Sequence, residues 1–121
     1  MAFWCLNTAA LIAAVGAAIH GYVGGRIYLG GVSNSDLDGL AKSLIILLWQ
    51  AFTVWLVFSA GVLVCVSLEA SLRLMAYPII AVNALYALLF VYFGFAGHVQ
   101  LLKLPGAYVT GAIAGMAYLG V

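Results

Sequence analysis

AALIAAVGAAIHGYVGGR, residues Ala9 to Arg26, is an apolar run that closes on a histidine, a cluster of glycines and an arginine. Ala10, Ala13, Ala17, Gly21 and Gly24 recur at steps of three and four, so on a helix they form one narrow face of small side chains. Such a face lets transmembrane backbones approach closely, because dispersion contacts rather than water expulsion hold helices together in lipid. His20 lies near the end of the run and Arg26 just beyond it. Polar side chains at that depth reach headgroup water or a partner on a neighbouring helix.

The rest of the chain demands the same solvent. Of 121 residues, 68% are hydrophobic and 6% charged, against about 25% charged in soluble domains. Four basic and three acidic residues cannot build a polar surface, so the surroundings are mostly lipid. The length suffices for four spans of about 20 residues with short connections. A net charge of +1 points to no nucleic-acid partner. The start, MAFWCLNTAALIAAVGAA, lacks a basic leader region and its apolar run is longer than a usual signal core, so it reads as a retained first helix.

Hydropathy predicts helices over about 2–23, 40–66, 74–96 and 104–121, with Phe3, Trp4, Tyr22 and Tyr28 in the interfacial belts. Residues 24–39, rich in Gly, Ser, Asn and Asp, read as the longest loop, and Ser35 or Asp36 as the cap of a short interfacial helix leading into the second helix. Within that helix Gln50 and Thr53 share a face with Ala60 and Gly61, the pattern of an interhelical hydrogen bond worth about 0.6 kcal/mol. Glu69 and Arg73, four apart, are spaced for a helical ion pair. Pro78 and Pro105 fall where a helix start tolerates proline, and Asn83 is the one strongly polar residue inside the third helix. Gly111 and Gly115 form a GxxxG pair suited to close helix packing. Arg26, Lys42 and Lys103 fall at one membrane face and Arg73 alone at the other, which puts the first face in the cytoplasm and both termini outside.

Candidate sites are few. His20, Gln50 and His98 are expected in the same third of the bundle, where two imidazoles suit a metal or haem iron, and an imidazole with an amide suits a quinone headgroup. No HxxH, HxxxH or CxxC spacing accompanies them, and local hydrogen bonding of interfacial histidines is the simpler reading. Cys5 and Cys65 are expected near the non-cytoplasmic face, where a disulfide is permitted, although two buried thiols packing as small hydrophobes is the simpler reading. No phosphate loop, nucleophile with a base or carboxylate pair is present, so no enzyme is expected. The predicted spans hold no Asp or Glu and no basic residue beyond Lys42 at one end, which disfavours an ion-coupled transporter and leaves an oligomeric pore for a small solute as a minor reading.

His20-Gly21-Tyr22-Val23-Gly24-Gly25-Arg26, Trp49-Gln50 and Gly97-His98 together resemble the pattern of a group of short bacterial four-span membrane proteins of uncharacterised function. In that group the first helix ends in His, three residues, Gly, Glu or Gly, then Arg; the second carries Trp-His; and another His precedes the fourth. Gln50 stands where a histidine is expected, and glutamine is a poor ligand for a metal or haem. The resemblance implies a fold and a bacterial inner-membrane setting, and no activity. The expectation is therefore an all-α integral membrane protein, an antiparallel four-helix bundle of transmembrane helices. Its abundant Gly and Ala faces suit a small accessory subunit that packs in the bilayer against itself or a larger respiratory or photosynthetic complex through protein–protein contacts. The alternative is a bundle that binds a metal, haem or quinone through His20 and His98.

Overall fold

The structure, a computed structural model, describes residues 1–121 and is all-helical. Four long helices carry the fold: α1 (Ala2–Ser33), α2 (Gly39–Leu68), α3 (Ala76–Phe95) and α4 (Gly106–Gly120). Short 3₁₀ segments, Ala70–Met75 and Val99–Lys103, lead into α3 and α4. Three helical stretches, Ala2–Ser33, Gly39–Leu68 and Ala70–Phe95, are long and apolar enough to cross a membrane. The 15 residues of α4 rise about 22 Å, less than the roughly 30 Å of a hydrocarbon core.

The first helix runs farther than its sequence suggests. Expected to stop at Val23, it continues to Ser33 by widening: Ala2–Ala18 is α-helical, Ile19–Leu29 is π-helical and Gly30–Ser33 is a final α turn. The glycines read as loop formers keep right-handed helical backbone, since Gly97 is the one residue in the chain with positive φ. An indole from α2 lies against Gly24 and fills the space that a side chain there would need.

The helix ends follow local chemistry. No separate short helix starts at Ser35 or Asp36, and Asp38 caps α2, accepting from the Ala41 N–H at 2.9 Å. Ser35 instead donates its hydroxyl to the Val32 carbonyl. Gly97, at φ 114°, terminates α3 in a Schellman turn, with His98 N–H donated to the Phe93 carbonyl and Ala96 N–H to that of Tyr92. Pro78 is the third residue of α3, where its missing N–H has no helical partner to lose. Glu69 does not answer Arg73 across a helical turn. The segment is a 3₁₀ turn, in which side chains three apart eclipse, and the Glu69 carboxylate accepts from the Ser71 N–H at 3.2 Å.

Helix α1 lies between α2 and α4, and α3 packs along α4 and more narrowly along α2. The shared core is small-residue rich: Ala9, Ala10, Ala13 and Ala17 of α1 meet Leu56, Leu63 and Val66 of α2 and Ile113 and Ala117 of α4. Only 18 of 121 residues are buried, and Leu40, Leu48, Val54, Tyr92 and Phe95 are among the large apolar side chains left exposed. That surface is unsustainable in water and matches lipid. Gly120 seats against Leu6, and Gly106 against the Phe90 ring. Of the expected GxxxG pair, Gly111 faces Ala87 on α3 and Gly115 meets nothing within 4 Å.

Candidate functional site

The π-helical segment carries the most elaborate side-chain cluster in the chain. Small residues bring α1 and α2 together there. A methyl group added at Gly21 would sit 2.9 Å from Thr53 Cγ2, and one added at Gly24 would sit 2.8 Å from Trp49 Cζ2. Trp49 and Thr53 are one turn apart on α2 and present a ring and a hydroxyl to the same stretch of α1.

His20 fills the space between them. Its ring stacks on the Trp49 indole with centroids 4.1 Å apart and planes 13° from parallel. The Phe52 ring meets it edge-on at 4.9 Å, and Phe52 in turn meets Tyr86 of α3 edge-on at 4.9 Å. Tyr28, two turns along the π segment, lies 5.5 Å from the Trp49 ring. His20 Nδ1 and Thr53 Oγ1 are hydrogen-bonded at 2.9 Å. Thr53 Oγ1 also lies 3.3 Å from the Trp49 carbonyl, so its one hydroxyl proton serves either that carbonyl or Nδ1, and the imidazole tautomer sets which. Trp49 Nε1–H closes the cluster by donating to the His20 carbonyl at 3.2 Å.

The cluster has basic residues at its outer margin. Arg26 lies over the Tyr22 ring at 4.4 Å, and Lys42 donates to the Ser33 carbonyl at 3.2 Å, joining the foot of α1 to the start of α2.

The other residues singled out in the sequence lie elsewhere. Gln50 is exposed on α2, one residue past Trp49, and takes no part in the ring stack. His98 is exposed beyond the end of α3, its ring 6.2 Å from that of Phe93. No three His, Cys, Asp or Glu side chains gather as metal ligands. Cys5 and Cys65 are free thiols, half-buried and exposed respectively, and Cys65 lines a surface groove with Phe58, Gly61 and Met75.

Sequence reasoning paired Thr53 with Gln50 and overlooked Trp49 and Phe52 as neighbours of His20. The available signal was the three-and-four spacing of residues 49, 52, 53 and 56 opposite glycines of the first helix. A second interhelical contact also escaped it. The fully buried Asn83 donates to Ser59 Oγ at 3.3 Å and to the Ile79 carbonyl at 2.9 Å. Comparison with protein-family models, with curated proteins and with solved structures finds no match to this chain.

Proposed function

We propose that the chain is an antiparallel four-span bundle of a bacterial inner membrane, with both termini outside, that serves as a small accessory subunit packing against a larger membrane complex or its own copies. One observation carries this reading. Ala10 and Ala14 of α1 with Ala60 and Gly61 of α2 floor an open groove of about 550 Å³, flanked by Asn7, Leu11 and Val64. Nothing lies within 4 Å of the position a Cβ would take at Gly61. A groove left open between two helices and lined by small residues is a surface on which another transmembrane helix gains close contact, whereas lipid tails fill such grooves less well. The test is purification from native membranes in mild detergent with mass spectrometry of co-eluting chains. A reproducible membrane partner, or a discrete oligomer, is expected. A lone monomer at native expression would end the proposal.

The His20 cluster favours a second reading, a cofactor- or quinone-binding bundle. Its observation is the His20 imidazole, hydrogen-bonded through Nδ1 and stacked on Trp49 beside Phe52, on the π-helical segment. An absorption spectrum and metal analysis of the same sample test it. A Soret band or stoichiometric metal lost on His20→Ala is expected under that reading, and a colourless, metal-free chain refutes its metal and haem forms.

A further inference from the structure

Two buried polar atoms have no hydrogen-bond partner within the chain: Trp55 Nε1 and Asn83 Oδ1. The first only donates and the second only accepts. Asn83 belongs to the seam between α2 and α3, and Trp55 sits on the stripe of α2 that faces it. Phe52, Trp55 and Ser59 recur on α2 at steps of three and four and so share one stripe. Phe52 touches Tyr86 of α3, and Ser59 accepts from Asn83 of α3. Trp55 lies on that stripe between two residues that meet α3 at Tyr86 and Asn83.

The Asn83 amide has spent its donors. Nδ2 gives its protons to Ser59 Oγ and the Ile79 carbonyl, which fixes the amide orientation and turns Oδ1 away from both. Oδ1 therefore needs a donor and the indole needs an acceptor. In a lipid-embedded seam neither finds bulk water. Trp55 lies near the middle of α2, too deep for a headgroup hydroxyl to reach.

We propose that the α2–α3 seam binds a single water molecule at mid-membrane depth. Its oxygen accepts the Trp55 indole N–H, and one of its protons goes to Asn83 Oδ1. Ser59 Oγ offers a lone pair to the second proton. Three polar partners are what a buried structural water ordinarily has.

The experiment is nuclear magnetic resonance of the full chain in phosphatidylcholine nanodiscs with ¹⁵N-labelled indoles. Trp55 is assigned by the resonance that disappears in Trp55→Phe. A cross-relaxation peak between the Trp55 Nε1 proton and water is expected in the wild type and lost in Asn83→Leu. A wild-type spectrum without that peak overturns the proposal, and so does a peak that persists in Asn83→Leu. Should Asn83→Leu not fold, the Asn83 Nδ2 protons of the wild type take its place. They too should show a water cross-peak, and its absence overturns the proposal.

Discussion

Gly24→Ala puts the close approach of α1 and α2 to the test. The new methyl carbon would stand 2.8 Å from Trp49 Cζ2, 3.5 Å from Cη2 and 3.6 Å from the Ile19 carbonyl oxygen. Carbon atoms in contact sit about 3.5–4.0 Å apart, so the indole must move by several tenths of an ångström. Trp49 is rigid, and it both donates to the His20 carbonyl at 3.2 Å and stacks on the His20 ring at 4.1 Å. Overpacking costs about 1–3 kcal/mol and loss of the hydrogen bond about 0.5–1.5 kcal/mol. The better helix propensity of alanine returns up to about 1 kcal/mol. The net expectation is a destabilisation of about 1–3 kcal/mol. Gly31→Ala is the control, since a Cβ there meets nothing within 4 Å. It should be neutral or stabilising. Titration from dodecylmaltoside into sodium dodecyl sulfate, followed by far-ultraviolet circular dichroism, measures both variants on one scale. A Gly24→Ala midpoint equal to that of Gly31→Ala would refute the placement of Trp49 on the π-helical segment.

Thr53→Val keeps the shape of the side chain and removes the partner of His20 Nδ1; the same titration should show a loss of about 0.6–2 kcal/mol, and Thr53→Ser should restore most of it. Asp38→Ala removes the cap on the Ala41 N–H and should cost about 1 kcal/mol, seen as faster hydrogen exchange at Ala41. Glu69 has its pKa held below its ordinary value of 4.5 by the Ser71 N–H. A depressed native pKa means that this stabilisation is complete above the ordinary value and is lost as pH falls through the native one. Glu69→Gln should therefore flatten the acid limb of stability below about pH 4.5, read as unfolding midpoint against pH in the same detergent.

Much of the fold was legible because lipid leaves a chain few choices. Continuous apolar runs located the interiors of α2 and α3 within a few residues, and Pro78 and Pro105 marked starts where a missing donor is harmless. The alanine face Ala10, Ala13 and Ala17 was legible as well, because only small residues recur along it. What composition concealed was the far end of α1. Gly24, Gly25, Gly30 and Gly31 read as loop residues by propensity, which measures a residue alone in water. Here the deciding factor is tertiary: the Trp49 indole occupies the space above Gly24 and binds the His20 carbonyl, and the helix widens rather than ends. The His20 partners were hidden for the same reason. Helix α2 carries both Gln50 and Thr53, and only the rotation of α2 about its axis, set by Leu56 and Leu63 entering the core, decides which one turns inward.

That rotation also explains why the polar side chains are placed as they are. Ser59, Asn83 and Thr110 are the polar residues that are fully buried, and their hydrogen bonds are local or cross one seam: Thr110 donates to the Gly106 carbonyl of its own helix at 2.8 Å, and Asn83 donates to Ser59 while its Oδ1 has no partner within the chain. Hydrocarbon penalises an unmet donor or acceptor far more than it rewards an extra apolar contact, because lipid tails already offer the apolar contact. The α1–α2 interface is therefore determined by steric fit at Gly21 and Gly24 together with one imidazole–hydroxyl pair, and the exposed apolar side chains contribute little to it. If that ordering holds, replacing exposed Leu48 or Val54 by alanine will move the unfolding midpoint far less than Thr53→Val does, although each removes more apolar surface. Equal effects would show that packing against lipid, and not the polar pair, governs how α2 is turned.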